Sequence, residues 1–191
     1  MRDRLLPNST QELRIGLESV RLDLRGSLHG FGLNQIAASD IFPRVVRAAL
    51  IRLCGVPIET ANIMPGCTFA NRLISIGPDT FVNRDCYFEG PLHIGSMCQI
   101  GPRVCIAASS HPWKTGGGFE RTAVPLPVSI GDGCWLGAGS IVLPGAQIGN
   151  GCVIAAGAVV TKDCVGGMLY AGVPAKAVRR IQPIDASEEG P

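Results

Sequence analysis

One kind of residue returns at a fixed interval along the second half of the chain. Ile130, Leu136, Val142, Ile148, Ile154 and Val160 stand six apart. Gly131, Gly137 and Gly149 follow one step later, and Cys134, Ser140, Ala146, Cys152 and Ala158 four steps later. The same interval fits Ile76, Val82, Phe88, Ile94, Ile100 and Ile106, with Thr80, Cys86, Leu92, Cys98 and Val104 four steps on. This period predicts a parallel β-solenoid in which each hexapeptide forms one side of a triangular coil. Residues eighteen apart then stack face on face, Ile76 under Ile94 and Ile130 under Ile148.

The period breaks once. Ile106 and Ile130 are 24 residues apart where six are due, so 18 are inserted. The phase resumes afterwards, so the inserted loop, 107–129, leaves the solenoid and returns to the same corner. It carries Gly, Pro and charge with no period of its own, and a long excursion from a rigid scaffold is commonly functional.

The solenoid is expected over 56–165, behind an N-terminal cap (1–55) and ahead of a closing segment and tail (166–191). Residues 56–75 keep phase loosely through Ile58, Met64 and Ala70, as an atypical end coil would. In the cap, 1–13 read as a frayed terminus, Arg14 to Arg25 show no clean period, and Gly26 to Asn34 read as a surface loop. One helix follows, capped by Ser39 or Asp40, with Pro43 in its first turn and Gly55 at its end. Val45, Val46, Ala49, Leu50 and Leu53 share the face expected to pack on the solenoid, leaving Arg44, Arg47 and Arg52 in solvent. The tail from Gln182 is polar and reads as disordered.

Composition agrees with a long interior: 46% of the 191 residues are hydrophobic and 17% charged. A net charge of +2 gives no electrostatic case for nucleic acid or a membrane surface. Of eight cysteines, Cys86, Cys98, Cys134, Cys152 and Cys164 fall on the small four-step position, where a thiol packs as a compact apolar group. Cys54, Cys67 and Cys105 remain, and no C-x-x-C pair is present, so buried reduced thiols and a cytoplasmic location are expected. The N-terminus shows no signal-peptide core, and no apolar run is long enough to span a bilayer.

Chemistry is concentrated at the interruption. His111 lies in the inserted loop, between Ser110 and Pro112, and an imidazole is the natural base for a hydroxyl or amine proton near neutral pH. His93 sits beside an inward isoleucine and reads as a surface position, while His29 has no support for a role.

The block SIGDGCWLGAGSIVLPGAQIGNGCVIAAGAVVTKD, followed by YAGVPAKAVRRI, resembles the left-handed β-helix acyltransferases. Within them it is most similar to the maltose, galactoside and Nod-factor O-acetyltransferase group, over about residues 56–181. The resemblance implies an all-β left-handed parallel β-helix using acetyl-CoA, assembled as a homotrimer with sites between subunits. It implies His111 as the base that lets an acceptor hydroxyl attack the thioester directly, and Asn83 as an acceptor contact. Trp135 matches a tryptophan beside the CoA arm, and Ala138 and Ala156 match positions whose backbone amides line the pantetheine slot. Thr161, Lys162, Lys176 and Arg179 match the end that holds the nucleotide phosphates, where cationic side chains suit the charge.

The chain departs from these enzymes in its N-terminal region and after His111. There Trp113 and Glu120 stand as candidate acceptor contacts, with Glu120 also placed to orient His111. No metal is expected. The zinc carbonic anhydrases of the same fold need three converging histidines, and His29, His93 and His111 are scattered. Serine O-acetyltransferases carry a helical N-terminal domain too long for residues 1–55. A non-catalytic scaffold, an amine acceptor and a longer acyl-CoA are the alternatives.

Overall fold

The computed structural model describes Ser27 and residues 30–182. It is a left-handed parallel β-helix with three sheets as the sides of a triangular prism. Sheet A holds Ile74–Ile76, Leu92–Ile94, Val128–Ile130 and Gln147–Ile148. Sheet B holds Phe81–Val82, Gln99–Ile100, Trp135–Leu136 and Val153–Ile154, and is extended by Met168–Ala171 and Lys176–Arg180. Sheet C holds Thr68–Phe69, Tyr87–Phe88, Cys105–Ile106, Ile141–Val142 and Val159–Val160.

Most strands are two residues long, so each carries one outward and one inward side chain, and the remaining residues of the hexapeptide turn the corner. In Trp135–Leu136 the tryptophan is exposed and the leucine buried. The expected stacking is present: Ile76 pairs with Ile94 and Ile130 with Ile148. Ile94 pairs with Ile130 across the interruption, so the inserted residues cost the solenoid nothing in register. Burial of each such side chain is worth about 1.5–3 kcal/mol relative to exposure. Corners are turned by a left-handed residue three steps after the inward one. The later coils use glycine there, as at Gly133 (φ 62°), whereas Met97 (φ 55°) and Arg103 (φ 57°) hold it in earlier ones.

The first coil departs from the expected phase. Ile63 and Phe69, not Met64 and Ala70, fill the interior. The step from Ile58 to Ile63 is one residue short and that from Phe69 to Ile76 one residue long, so Ile63 aligns with Val82 and Phe69 with Phe88.

The cap also differs. Helix α1 (Arg44–Leu53) starts at Pro43 without a side-chain cap and ends at Gly55 (φ 87°). Ser39 instead accepts the Ile41 N–H, and Asp40 pairs with Arg84 at 3.1 Å. The expected faces are present only in part: Leu50 packs against the core and Arg44 and Arg52 are exposed, but the rest differs. Val45, Val46, Ala49 and Leu53 are exposed, while Arg47, Ala48 and Ile51 are buried. Arg47 goes inside because its guanidinium donates to the carbonyls of Ala37, Ser39, Phe42 and Ile63, at 2.7–3.1 Å. Arg52 ties the helix to the first coil through the carbonyls of Ile58, Glu59 and Thr60.

The end of the expected surface loop is a π-helical turn, Gly32–Ile36, with Leu33 buried. Its Asn34 carboxamide accepts the Phe69 N–H at 2.9 Å and donates to the Phe69 carbonyl at 3.1 Å. One side chain thus serves as the missing neighbour of the first strand of sheet C. The readings for 1–13, Arg14 to Arg25, His29 and the tail beyond Gln182 lie outside the described residues.

Candidate active site

The insertion is built as a β-ribbon rather than an aperiodic loop. At its base, Ser109–Ser110 pairs antiparallel with Val124–Pro125. Further out, Trp113 bridges Phe119, the Lys114 N–H donates to the Gly118 carbonyl at 2.8 Å, and the Glu120 N–H donates to the Pro112 carbonyl at 2.8 Å. The tip turns through Gly116, Gly117 and Gly118, all at positive φ, which side chains disfavour. Trp113 and Phe119 are both largely exposed and meet edge to face, with centroids 4.9 Å apart.

His111 is exposed on this ribbon, and its Nδ1 lies 2.9 Å from the main-chain carbonyl oxygen of Glu120. A carbonyl can only accept, so Nδ1 carries a hydrogen, and in the neutral ring Nε2 is the nitrogen with the lone pair. The Glu120 carboxylate is engaged elsewhere, by Lys114 at 3.1 Å. The orienting role expected of Glu120 therefore belongs to its backbone.

A residue that sequence reasoning passed over holds the base of the ribbon. The Glu89 carboxylate accepts the Ala108 N–H at 3.1 Å and the Ser109 hydroxyl at 2.6 Å. Its one readable signal was an acidic residue one coil ahead of the interruption, following the inward Phe88.

The candidate CoA residues lie along a different corner, where sheet B passes into sheet C. Trp135 is 56% exposed on sheet B, stacked between Gln99 and Val153. Ala138 and Ala156 follow at the corner, one coil apart, both exposed. Among the described residues neither amide N–H has an acceptor. The opposite corner of sheet B shows what that means. There the equivalent amides of Ser96 and Asp132 donate to the carboxylate of Asp132 at 2.7 Å and the carboxamide of Asn150 at 3.1 Å. Alanine supplies no such oxygen, and glycine keeps the approach clear: a Cβ on Gly137 would lie 2.5 Å from the Ala156 nitrogen. Two stacked, exposed N–H donors fit the carbonyl oxygens of an extended amide chain such as pantetheine.

Asn83 stands at the same corner, nearer the N-terminal end. Its Oδ1 accepts the Arg84 N–H at 2.8 Å, and its Nδ2 has no acceptor among the described residues. Thr161 and Lys162 are exposed on the C-to-A corner, the corner from which the ribbon rises. Lys176 and Arg179 are exposed on the hairpin that extends sheet B, opposite Ala171 and Leu169. The fold thus groups Asn83, Trp135, Ala138 and Ala156 along one edge and His111, Trp113, Glu120, Thr161 and Lys162 along another. Sheet C lies between the two groups. The shallow grooves on sheet A, lined by His93, Ser129 and Gln147, contain none of these residues.

All eight cysteines are free. Burial pushes the Cys164 thiol up to about 12 and raises Cys105 and Cys152, which makes them packing groups rather than nucleophiles. Among the described residues no cluster of His, Cys, Asp or Glu could hold a metal ion, and no helix is long and apolar enough to cross a membrane.

Comparison with known proteins agrees with this architecture. Residues 127–162 match the family model of the bacterial transferase hexapeptide (six repeats). A Staphylococcus haemolyticus protein named as an acetyltransferase is 38% identical over 162 residues, which are 82% of this chain and 82% of that one. The chain spans little more than half the length of several other curated relatives it matches. Among solved structures, a maltose O-acetyltransferase from Clostridium difficile superposes with a TM-score of 0.70 at 28% identity, covering 79% of this chain and 83% of that one. A galactoside acetyltransferase in complex with coenzyme A gives 0.60 at 27% identity, covering 83% of this chain and 80% of that one. The chain belongs to the hexapeptide-repeat acetyltransferases, a family whose co-substrate is acetyl-CoA.

Proposed function

We propose that this protein transfers an acetyl group from acetyl-CoA to a hydroxyl of a sugar, glycan or natural product, with His111 as general base. The observation that carries this reading is the His111 Nδ1 contact with the Glu120 carbonyl, which leaves Nε2 free to accept a proton. Nε2 takes the hydroxyl proton as the acceptor oxygen attacks the thioester carbon. The tetrahedral intermediate then collapses, the C–S bond breaks, and the imidazolium returns the proton to the departing CoA thiolate. Ala138 and Ala156 offer their amides to the pantetheine arm, with Trp135 beside it. Thr161, Lys162, Lys176 and Arg179 serve the nucleotide phosphates, and Asn83, Trp113 and Glu120 border the acceptor.

The separation of His111 from the B-to-C corner supports an assembly with shared sites. We propose a homotrimer in which sheet A of one copy faces sheet B of the next. The ribbon corner of the first copy then meets the alanine corner of the second at the rim of that contact. Eight free thiols suit a reducing compartment, so the site of action is the cytoplasm. The reading is tested by incubating the protein with acetyl-CoA and a panel of sugars and hydroxylated natural products, followed by mass spectrometry. An ester product carrying one acetyl group is expected. Coenzyme A binding with no acylated product from any acceptor would favour a scaffold, and an amide product would move the reaction to amines.

A further inference from the structure

A β-ribbon that rises from a rigid solenoid can direct a catalytic imidazole only if its base is fixed. Main-chain pairing at the base is short, two residues on each strand. The solenoid contributes one side-chain clamp there, and it comes from Glu89. Both carboxylate oxygens are used, one on the Ala108 N–H at 3.1 Å and the other on the Ser109 hydroxyl at 2.6 Å. Ala108 is fully buried and its carbonyl accepts the Leu126 N–H at 2.8 Å, so Glu89 grips the chain where the outgoing and returning strands meet. His111 is two residues beyond Ser109, immediately after the strand Ser109–Ser110 ends.

The surroundings strengthen the grip. Glu89 is half-buried beside Tyr87 and Cys105, whose ionisation is disfavoured first by burial and then by the Glu89 charge. A carboxylate makes stronger hydrogen bonds to its donors than a neutral group would. On the solenoid the equivalent step after the inward residue of sheet C is occupied by Ala70, Ala107, Leu143 and Thr161, none of which can accept at two oxygens. The carboxylate stands only in the coil beneath the ribbon.

We infer that Glu89 is a positioning residue for catalysis, acting through Ala108 and Ser109 to fix the ribbon that aims His111. The inference rests on His111 being the base. Small displacements of a reacting group are expensive, with about 1 Å costing on the order of 100-fold in rate.

The test uses the full-length protein and begins with a readout that needs no acceptor. Imidazole ¹⁵N spectra, with the His111 signals assigned by their loss in His111→Ala, should show Nδ1 protonated in the wild type. Glu89→Ala should move these signals toward the tautomer average or broaden them, while the thermal midpoint stays within a few degrees. Turnover should fall roughly 10- to 100-fold in kcat with KM for acetyl-CoA unchanged. Glu89→Gln, which keeps one accepting oxygen, should lie between, and Glu89→Ala with Ser109→Ala together should cost little more than Glu89→Ala alone. Unchanged His111 signals in Glu89→Ala would overturn the inference. So would a collapse of the melting transition, which would make Glu89 a residue of the fold. If His111→Ala turns over like the wild type, the reading of the base fails, whereas the spectra still report on the clamp.

Discussion

The imidazole of His111 is held by the main chain of Glu120, through a 2.9 Å contact from Nδ1 to the carbonyl oxygen, while the Glu120 side chain pairs with Lys114. The two ends of one residue therefore do separable jobs. Glu120→Ala keeps the carbonyl that holds His111 and loses an exposed ion pair, worth about 0–1 kcal/mol, so any lost acceptor contact should appear in KM for the acceptor. Its kcat should stay within about threefold of wild type, a change of under 1 kcal/mol in the barrier. A loss of 100-fold would instead assign the carboxylate a direct part in orienting the base.

The amides of Ala138 and Ala156 can be deleted without disturbing the corner, because proline already stands at the same step of other coils, at Pro78, Pro102 and Pro144. Ala138→Pro and Ala156→Pro should each raise KM for acetyl-CoA roughly 3- to 10-fold, the worth of one hydrogen bond. Stability should hold or rise slightly, since proline restricts the unfolded chain. Steady-state kinetics alongside thermal melts separates the two effects.

Shared sites predict complementation. Co-expressed His111→Ala and Ala156→Pro subunits should form mixed oligomers in which some sites combine a wild-type ribbon with a wild-type alanine corner. Those sites should combine wild-type turnover with the wild-type KM for acetyl-CoA, a pairing neither variant shows alone, and mixing after assembly should yield fewer of them. Only the raised KM in the mixed species would place each site within one subunit.

Two buried polar side chains should respond in opposite directions. Arg47 satisfies four carbonyls, so Arg47→Met leaves them unpaired and should destabilise by about 2–4 kcal/mol. The Ser140 hydroxyl is buried without a partner among the described residues. Thr80, also buried, accepts from Cys98 and donates to Gly95. Ser140→Ala should therefore be neutral or stabilising by up to about 1 kcal/mol. Chemical denaturation of both variants checks the pair.

The solenoid was legible because its period is set by local geometry. A two-residue strand and a fixed corner repeat the same burial every six residues, and Ile94 finds Ile130 whatever is inserted between them. What could not be read depended on distant partners. Arg47 looks like a surface arginine until Ala37, Ser39, Phe42 and Ile63 bring their carbonyls to it. Met64 and Ala70 were in phase only on paper, because one short and one long step cancel over the first coil. The ribbon is too short to show alternation, so its pairing, and the Glu89 clamp beneath it, appear only in three dimensions. For the candidate site, the positions His111, Ala138 and Ala156 were nameable from motifs, but the free Nε2 and the two unpaired amides were not.

The central claim is that Nε2 of His111 takes the acceptor proton. It is tested most directly by thiol release from saturating acetyl-CoA with the best acceptor found in the panel, comparing wild type with His111→Ala. A general base contributes about 10²- to 10⁴-fold, so kcat should fall by that factor while KM for acetyl-CoA and the melting temperature stay unchanged. A His111→Ala protein that turns over at the wild-type rate would contradict the account.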